Sequence, residues 1–316
     1  MADTLDGLVI RAQSGFLVVQ TQEGEYTCRL RGRLKQGEQE GDFVAVGDRV
    51  TITPQEDGSG VIESIHERVA ELSRVRSGIK REFRQILLAN PDQIVTVFAC
   101  AQPAPSLRML DRFLVIAEKQ LVDALIVANK ADLVTPEEAH ALFGLYEDLG
   151  YPVVYTSAVT GQGVEELHGH LKGKLSALTG PSGTGKSSLL NAIQPDLGLQ
   201  VRTVSEITSK GRHTTHVREL FPLDVGGYVA DTPGIRTLAL WDTEPEELDA
   251  YFVEMRELVA DCQFSDCSHT HEPGCAVLAA VEAGRVTSQR YHSYLRLRFG
   301  DESDEMIDDA DGNPKG

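Results

Sequence analysis

The chain has 316 residues, 41% apolar and 25% charged, with a net charge of −18, a composition that fits two or three folded domains and excludes a largely disordered chain. No stretch approaches the roughly 18 consecutive apolar residues of a membrane span, and Met1-Ala2-Asp3-Thr4-Leu5-Asp6 has neither the basic start nor the apolar core of a secretory signal, so a cytoplasmic protein without membrane partners is expected. The acidic average argues against a nucleic-acid partner, since phosphate contacts need Lys and Arg, but Asp301, Glu302, Asp304, Glu305, Asp308, Asp309 and Asp311 concentrate acid in a final stretch that reads as a solvated, disordered tail.

From about residue 5 to 68 come short alternating or β-branched runs: Gly7 to Ile10, Gly15 to Val19, Glu25 to Leu30, Asp48 to Ile52 and Gly60 to Ile65. Turn residues separate them at nearly regular intervals. This predicts a small all-β barrel whose strand number suits an oligonucleotide-binding (OB) fold, with an SH3-like barrel as the plainer reading. Residues 74–84, with Arg74, Arg76, Lys80, Arg81, Phe83 and Arg84, read as a basic linker and the best local candidate for phosphate-backbone contact.

Beyond residue 90 apolar strands and amphipathic helices alternate: Ile94 to Ala99, a helix from Leu107 to Gln120, Ala124 to Ala128, a helix from Pro136 to Leu149, Val153 to Thr156, a helix from Val164 to Lys172, and Leu175 to Thr179. Such a rhythm predicts an α/β domain with a mostly parallel sheet. Two polar motifs follow strands, where such sheets bind ligands. They are Asn129-Lys130-Ala131-Asp132 and Thr156-Ser157-Ala158.

Gly180-Pro181-Ser182-Gly183-Thr184-Gly185-Lys186-Ser187 matches the phosphate-binding P-loop, between the strand Leu175 to Thr179 and a helix carrying Ser188, Leu189 and Leu190. Glycines let backbone N–H groups close on phosphate oxygens. Lys186 is expected to span the β- and γ-phosphates, and Ser187 to ligate Mg²⁺. Given a P-loop, the Asp132 carboxylate can accept two hydrogen bonds from guanine N1–H and its amine. Adenine offers no such pair and would strand a buried carboxylate, a penalty of roughly 1–3 kcal/mol or more. GTP and GDP are therefore the expected ligands, with Ser157 and Ala158 beside the base.

Asp231-Thr232-Pro233-Gly234 follows the strands Val217 to Leu223 and Tyr228 to Ala230, which a Gly226-Gly227 turn joins. Asp231 is placed to hold Mg²⁺ through water and Gly234 N–H to meet the γ-phosphate. Between P-loop and Asp231 runs Ser209 to His216, a polar segment in which Thr215, or alternatively Thr214, completes the Mg²⁺ shell when GTP is bound. Ile235 stands where many GTPases carry a water-orienting glutamine, which predicts slow intrinsic hydrolysis. His213 is the nearest chemical substitute, and a solvated loop histidine is the other reading. In ordinary GTPases the phosphate loop precedes the base motifs; here it follows them, so the GTPase domain is circularly permuted.

Cys262, Cys267, His269 and Cys275 have the compact spacing of a tetrahedral structural Zn²⁺ site, with His271 an alternative to His269. The chain beyond them carries Arg285, Arg290, Arg296 and Arg298 with Tyr291 and Tyr294, compatible with RNA contact or with a capped surface helix.

With these motifs, and with Ala89-Asn90-Pro91-Asp92-Gln93, Asp111-Arg112-Phe113-Leu114, Gly211-Arg212-His213-Thr214-Thr215 and Glu272-Pro273-Gly274-Cys275, nearly the whole chain resembles the bacterial ribosome small subunit-dependent GTPase A family. The resemblance implies an OB-like barrel over 1–68, the permuted GTPase domain over 69–240, a zinc-binding helical domain over 241–300 and an acidic tail over 301–316. It also implies a monomer that binds the small (30S) ribosomal subunit and its 16S rRNA during late maturation, with GTP hydrolysis stimulated by the subunit and coupled to release, and a catalytic role for His213 beside Lys186. The competing expectation, motivated by Ile235, is a guanine-nucleotide sensor that holds an RNA or protein partner and whose turnover is incidental.

Overall fold

The computed structural model describes residues 4–13, 16–32, 43–76, 83–199, 218–231 and 243–300. Among them no helix is long and apolar enough to cross a membrane. The first five strands are β1 (Leu5–Gln13), β2 (Phe16–Thr21), β3 (Gly24–Leu30), β4 (Arg49–Pro54) and β5 (Ser59–Ile65). They close as β1-β2-β3-β5-β4, with β4 returning to β1. Strand alternation turns Val9, Leu17, Val19, Cys28, Val50, Ile52 and Ile62 into one interior cluster, and closure leaves no open strand edge. Burial pushes the Cys28 thiol up to about 11, as suits an inert core residue.

A register shift between Val9 and Arg11 bends β1. Its first half pairs with β4, while Arg11 and Ala12 pair with β12 (Arg218–Pro222). Barrel and nucleotide-type sheet are thereby continuous. Arg11 donates to Glu219 across that junction.

The basic stretch expected as a linker is instead the end of a two-stranded ribbon, β6 (Glu71–Arg76) against β7 (Phe83–Ala89), with Arg76 opposite Phe83. Arginines hid the first strand. The second buries Ile86, Leu87 and Leu88 consecutively, a run without the period-two signal. Residues 77–82 lie outside the described residues.

The remaining elements of the sheet and its helices are β8 (Gln93–Ala99), α1 (Leu107–Gln120), β9 (Asp123–Asn129), α2 (Pro136–Asp148), β10 (Val153–Thr156), α3 (Val164–Leu171), β11 (Leu175–Thr179), α4 (Lys186–Ile193) and β13 (Tyr228–Asp231). Strands run β10-β9-β8-β11-β13 in parallel, and β12 joins the edge antiparallel through the Gly226-Gly227 turn. α2 starts on a capping box, Thr135 with Glu138, and Pro136. Strand order reverses between β8 and β11, the place where open α/β sheets bind ligands at their carboxyl ends.

The chain divides into two compact units. One is built from the chain up to Pro105 and from Gln120 through β13, the other from Ser106–Lys119 and 243–300. Helix α1, inside the stretch expected as the middle domain, thus clusters with the C-terminal α5 (Val253–Arg256), α6 (Ala276–Glu282) and α7 (Ser288–Phe299). Asp111 explains why. Arg290 of α7 is 1% exposed and sends Nη1 to Asp111 Oδ1 at 2.7 Å, and Nε and Nη2 to the Glu254 carboxylate at 2.6 and 3.1 Å. Its guanidinium also lies 4.5 Å from the centre of the Phe252 ring. Buried ions persist only when paired and hydrogen-bonded on this scale.

α7 carries the cap that one of its two readings expected, the Thr287 side chain accepting from Arg290 N, but part of its basic and aromatic surface is packed inward. Arg290 is enclosed, the Tyr291 hydroxyl donates to His269 O at 2.6 Å, and the Tyr294 hydroxyl donates to Ser268 O at 3.2 Å. Arg285 is exposed in the turn before α7.

Candidate nucleotide site and metal centre

Strand β11 is fully buried and delivers the chain into the Gly180–Ser187 loop. Gly180 has φ +126°, and a Cβ there would lie 2.1 Å from Val97 O; Gly185 has φ +95°, and its Cβ would lie 2.4 Å from Asn129 Nδ2. Both the dihedrals and the space demand glycine. Gly183 shares the left-handed backbone. Thr184 is buried and ties its hydroxyl to Pro181 O at 3.0 Å, while Ser182 is exposed and Ser187 and Ser188 are half-buried at the start of α4. Lys186 Nζ donates to Gly180 O and Pro181 O at 2.8 and 2.7 Å. These carbonyls hold the ammonium over the loop.

Asn129 joins the motifs that the chain order separates. At 1% exposure, its Nδ2 donates to Thr184 O at 2.7 Å and its Oδ1 accepts from Thr156 Oγ1 at 3.1 Å. One side chain therefore fastens β9 to the phosphate loop and to β10. Thr156 opens the second polar motif, but its bond to Asn129 is not legible in sequence, because nothing local pairs the ends of two strands 27 residues apart. The Ser157 hydroxyl, fully buried, accepts from Val159 N and Thr160 N at 3.2 and 3.1 Å, shaping the loop that carries Ala158.

Lys130 takes a left-handed backbone, φ +60°, and its ammonium donates to Gln102 O. Burial holds it below the usual lysine range, against the opposing pull of Asp132. Asp132 is exposed, in the short 3-10 turn Ala131–Leu133. Beside it Cys100, at the end of β8, is pushed up to about 11 by burial and by the Asp132 charge. Strand β13 delivers Asp231 to the same carboxyl edge, opposite Leu178 of β11. His213, Thr215, Gly234 and the Asp231 side chain lie outside the described residues.

The second candidate site is in the other unit. Ligand atoms of Cys262, Cys267, His269 and Cys275 all lie within 4.8 Å of one another. His269 Nδ1 is 3.6 Å from Cys262 Sγ and 3.4 Å from Cys275 Sγ. A tetrahedral zinc with bonds of ~2.3 Å to sulfur and ~2.0 Å to nitrogen separates N and S ligands by roughly 3.5 Å, so the set fits that ion. His271 is exposed and bonded to Thr270 at 2.7 Å, and it is His269 that the structure brings among the three cysteines. Burial pushes the Cys267 thiol up to about 12, with Cys275 and Cys262 adding to the effect; a divalent cation is what makes such a thiolate set tolerable.

Glu272 shapes the ligand loop. It accepts from Ser268 N at 2.8 Å, Thr270 N at 3.0 Å and His271 N at 3.1 Å, and from the Ser268 hydroxyl. Burial opposes its ionisation, but these donors outweigh it and hold the carboxyl well below its ordinary range.

A P-loop joined by Asn129 to base motifs that precede it, on a sheet continuous with a closed barrel, defines a circularly permuted P-loop GTPase. The comparisons agree. Residues 65–241 match the RsgA GTPase family model and residues 6–62 that of the RsgA N-terminal domain. The chain is 48% identical to the small ribosomal subunit biogenesis GTPase RsgA of Gemmatimonas aurantiaca over 94% of this chain and 98% of that one, and 46% identical to the like-named protein of Moorella thermoacetica over 92% and 95%. Among solved structures it is similar to YjeQ from Thermotoga maritima, with TM-score 0.75 and 38% identity over 99% of this chain and all of that one. It is also similar to YloQ, described as a circularly permuted GTPase, with TM-score 0.71 and 33% identity over 99% and 98%.

The chain belongs to the RsgA GTPase family. It is a GTP hydrolase, using a guanine nucleotide with Mg²⁺.

Proposed function

We propose that this GTPase acts in late maturation of the small ribosomal subunit, in the cytoplasm and as a monomer, binding the 30S particle and its 16S rRNA, with hydrolysis stimulated by the particle and coupled to release. The observation that carries the nucleotide half is the Asn129 bridge from base strand to phosphate loop. Similarity over nearly the full length of relatives named for small-subunit biogenesis supports the partner.

In this reading the P-loop from Gly180 through Ser188 cradles the phosphates, with Lys186 on the β- and γ-oxygens, and Ser187, Thr215 and Asp231 surround Mg²⁺. Gly234 N–H reads the γ-phosphate. Asp132 reads guanine, flanked by Lys130, Ser157 and Ala158, and Asn129 holds these parts in register. His213 orients the attacking water in place of the side chain missing at Ile235. A structural Zn²⁺ on Cys262, Cys267, His269 and Cys275 holds the C-terminal module in shape for its partner.

GTP turnover measured alone, with small subunits and with large subunits tests the proposal. Acceleration by small subunits alone is expected. Equal rates in all three would leave the nucleotide-sensor reading in its place.

A further inference from the structure

The carboxylate facing the histidine of the thiol cluster comes from outside the cluster. Asp249 lies in the 3-10 turn Pro245–Tyr251, at 8% exposure, with Oδ2 3.0 Å from His269 Nε2. The other ring nitrogen, Nδ1, is the one beside Cys262 and Cys275. The imidazole is fully buried, its residue takes a left-handed backbone with φ +58°, and its carbonyl accepts from Tyr291. Ring and backbone are thus both held.

We propose that Asp249 is the outer carboxylate of the zinc centre: it accepts the Nε2–H, fixes the tautomer whose Nδ1 lone pair faces the ion, and strengthens that nitrogen as a ligand. This rests on the zinc reading of the four ligands. A neutral imidazole has one donor and one acceptor nitrogen, and the partner of one decides the role of the other. Without Asp249 the Nε2–H would be a buried donor lacking its acceptor, and the opposite tautomer would aim N–H at the sulfurs. Ligating histidines are held by such a second partner as a rule, and its loss weakens metal binding about 10–100-fold.

The test uses the full-length protein. Zinc is counted in wild type, Asp249→Ala and Asp249→Asn, its removal is followed with a chromophoric chelator, and the His269 ring nitrogens are assigned by ¹⁵N NMR in the wild type. One zinc per wild-type chain is expected, with metal on Nδ1 and a proton on Nε2. Asp249→Ala should hold zinc about 10–100-fold more weakly. Asp249→Asn, whose amide oxygen still accepts, should stay nearer the wild type. Wild type without zinc would overturn the zinc reading itself. Zinc-loaded wild type with unchanged retention in Asp249→Ala, or ligation through Nε2, would overturn the role of Asp249. Should the alanine variant fail to fold, the ring assignment decides, since only an Nδ1-bound ion agrees with the proposal.

Discussion

The two candidate sites are built in opposite ways. Around the phosphate loop the shaping is done by backbone: Gly180 and Gly185 adopt conformations closed to other residues, and a single buried amide, Asn129, ties the parts together. In the unit that holds the thiol cluster side chains do it, through Arg290 between two carboxylates, Asp249 on His269, Tyr291 and Tyr294 on the ligand-loop carbonyls, and Glu272 accepting from three backbone N–H groups. The first is a cradle whose lysine rests on its own loop carbonyls. The second is a set of buried polar bonds that holds both the ligand loop and the helices of its unit. Damage to the first should therefore appear in nucleotide affinity and turnover, and damage to the second in stability and metal retention.

The largest expected effect lies in the second region. Asp111→Ala removes the buried acceptor of Arg290 Nη1 and of the Ser293 hydroxyl, at about 1.5–3 kcal/mol for each hydrogen bond to a charged group; chemical denaturation followed by helical circular dichroism should show the loss. If stability is unchanged, the network is not what holds α1 to the C-terminal segment. Next is Lys186→Ala, expected to slow GTP turnover by about 10²–10³-fold, as for loss of a charge-stabilising donor, with little change in melting temperature. A comparable fall in stability would break the contrast. Asn129→Ala leaves Thr184 O and Thr156 without their partner, at about 1–3 kcal/mol. GTP affinity and melting temperature should both drop, marking the one place where the nucleotide site also depends on a buried side chain.

The smallest effect is pH-dependent. Because Glu272 is held below its ordinary range, its contribution is full above the unfolded carboxylate value of ~4.3 and is lost as pH falls towards the folded one. The melting difference between wild type and Glu272→Gln should be present at neutral pH and shrink in acid. A difference that grows on acidification would contradict the assignment.

The same contrast decides what was legible in the sequence. Backbone-built sites announce themselves, since glycines, Lys186 and the Asn129–Asp132 motif stand at fixed spacing, and five alternating strands declare the barrel. The cysteines were equally readable, but spacing left His269 and His271 as alternatives, and only the fold brings His269 among them. Long-range polar partners were not. Asp111 and Arg290 are 179 residues apart, and nothing local distinguishes a buried arginine from a surface one, which is why α7 reads as a surface helix or an RNA contact. The ribbon of β6 and β7 was hidden because its arginines read as linker and its apolar run lacks alternation. Asp249 had no marker at all, being an ordinary acid in an acidic chain.

If the permuted motifs assemble a guanine-specific site, Asp132 is the residue that reads the base. The most direct test is titration of wild type and Asp132→Asn with GTP and with xanthosine triphosphate, whose ring carries a carbonyl where guanine has its amine. The variant should lose GTP affinity by at least tenfold, about 1.4 kcal/mol, and gain affinity for the xanthine nucleotide, to which the new amide can donate. A variant that binds GTP as the wild type does would contradict it.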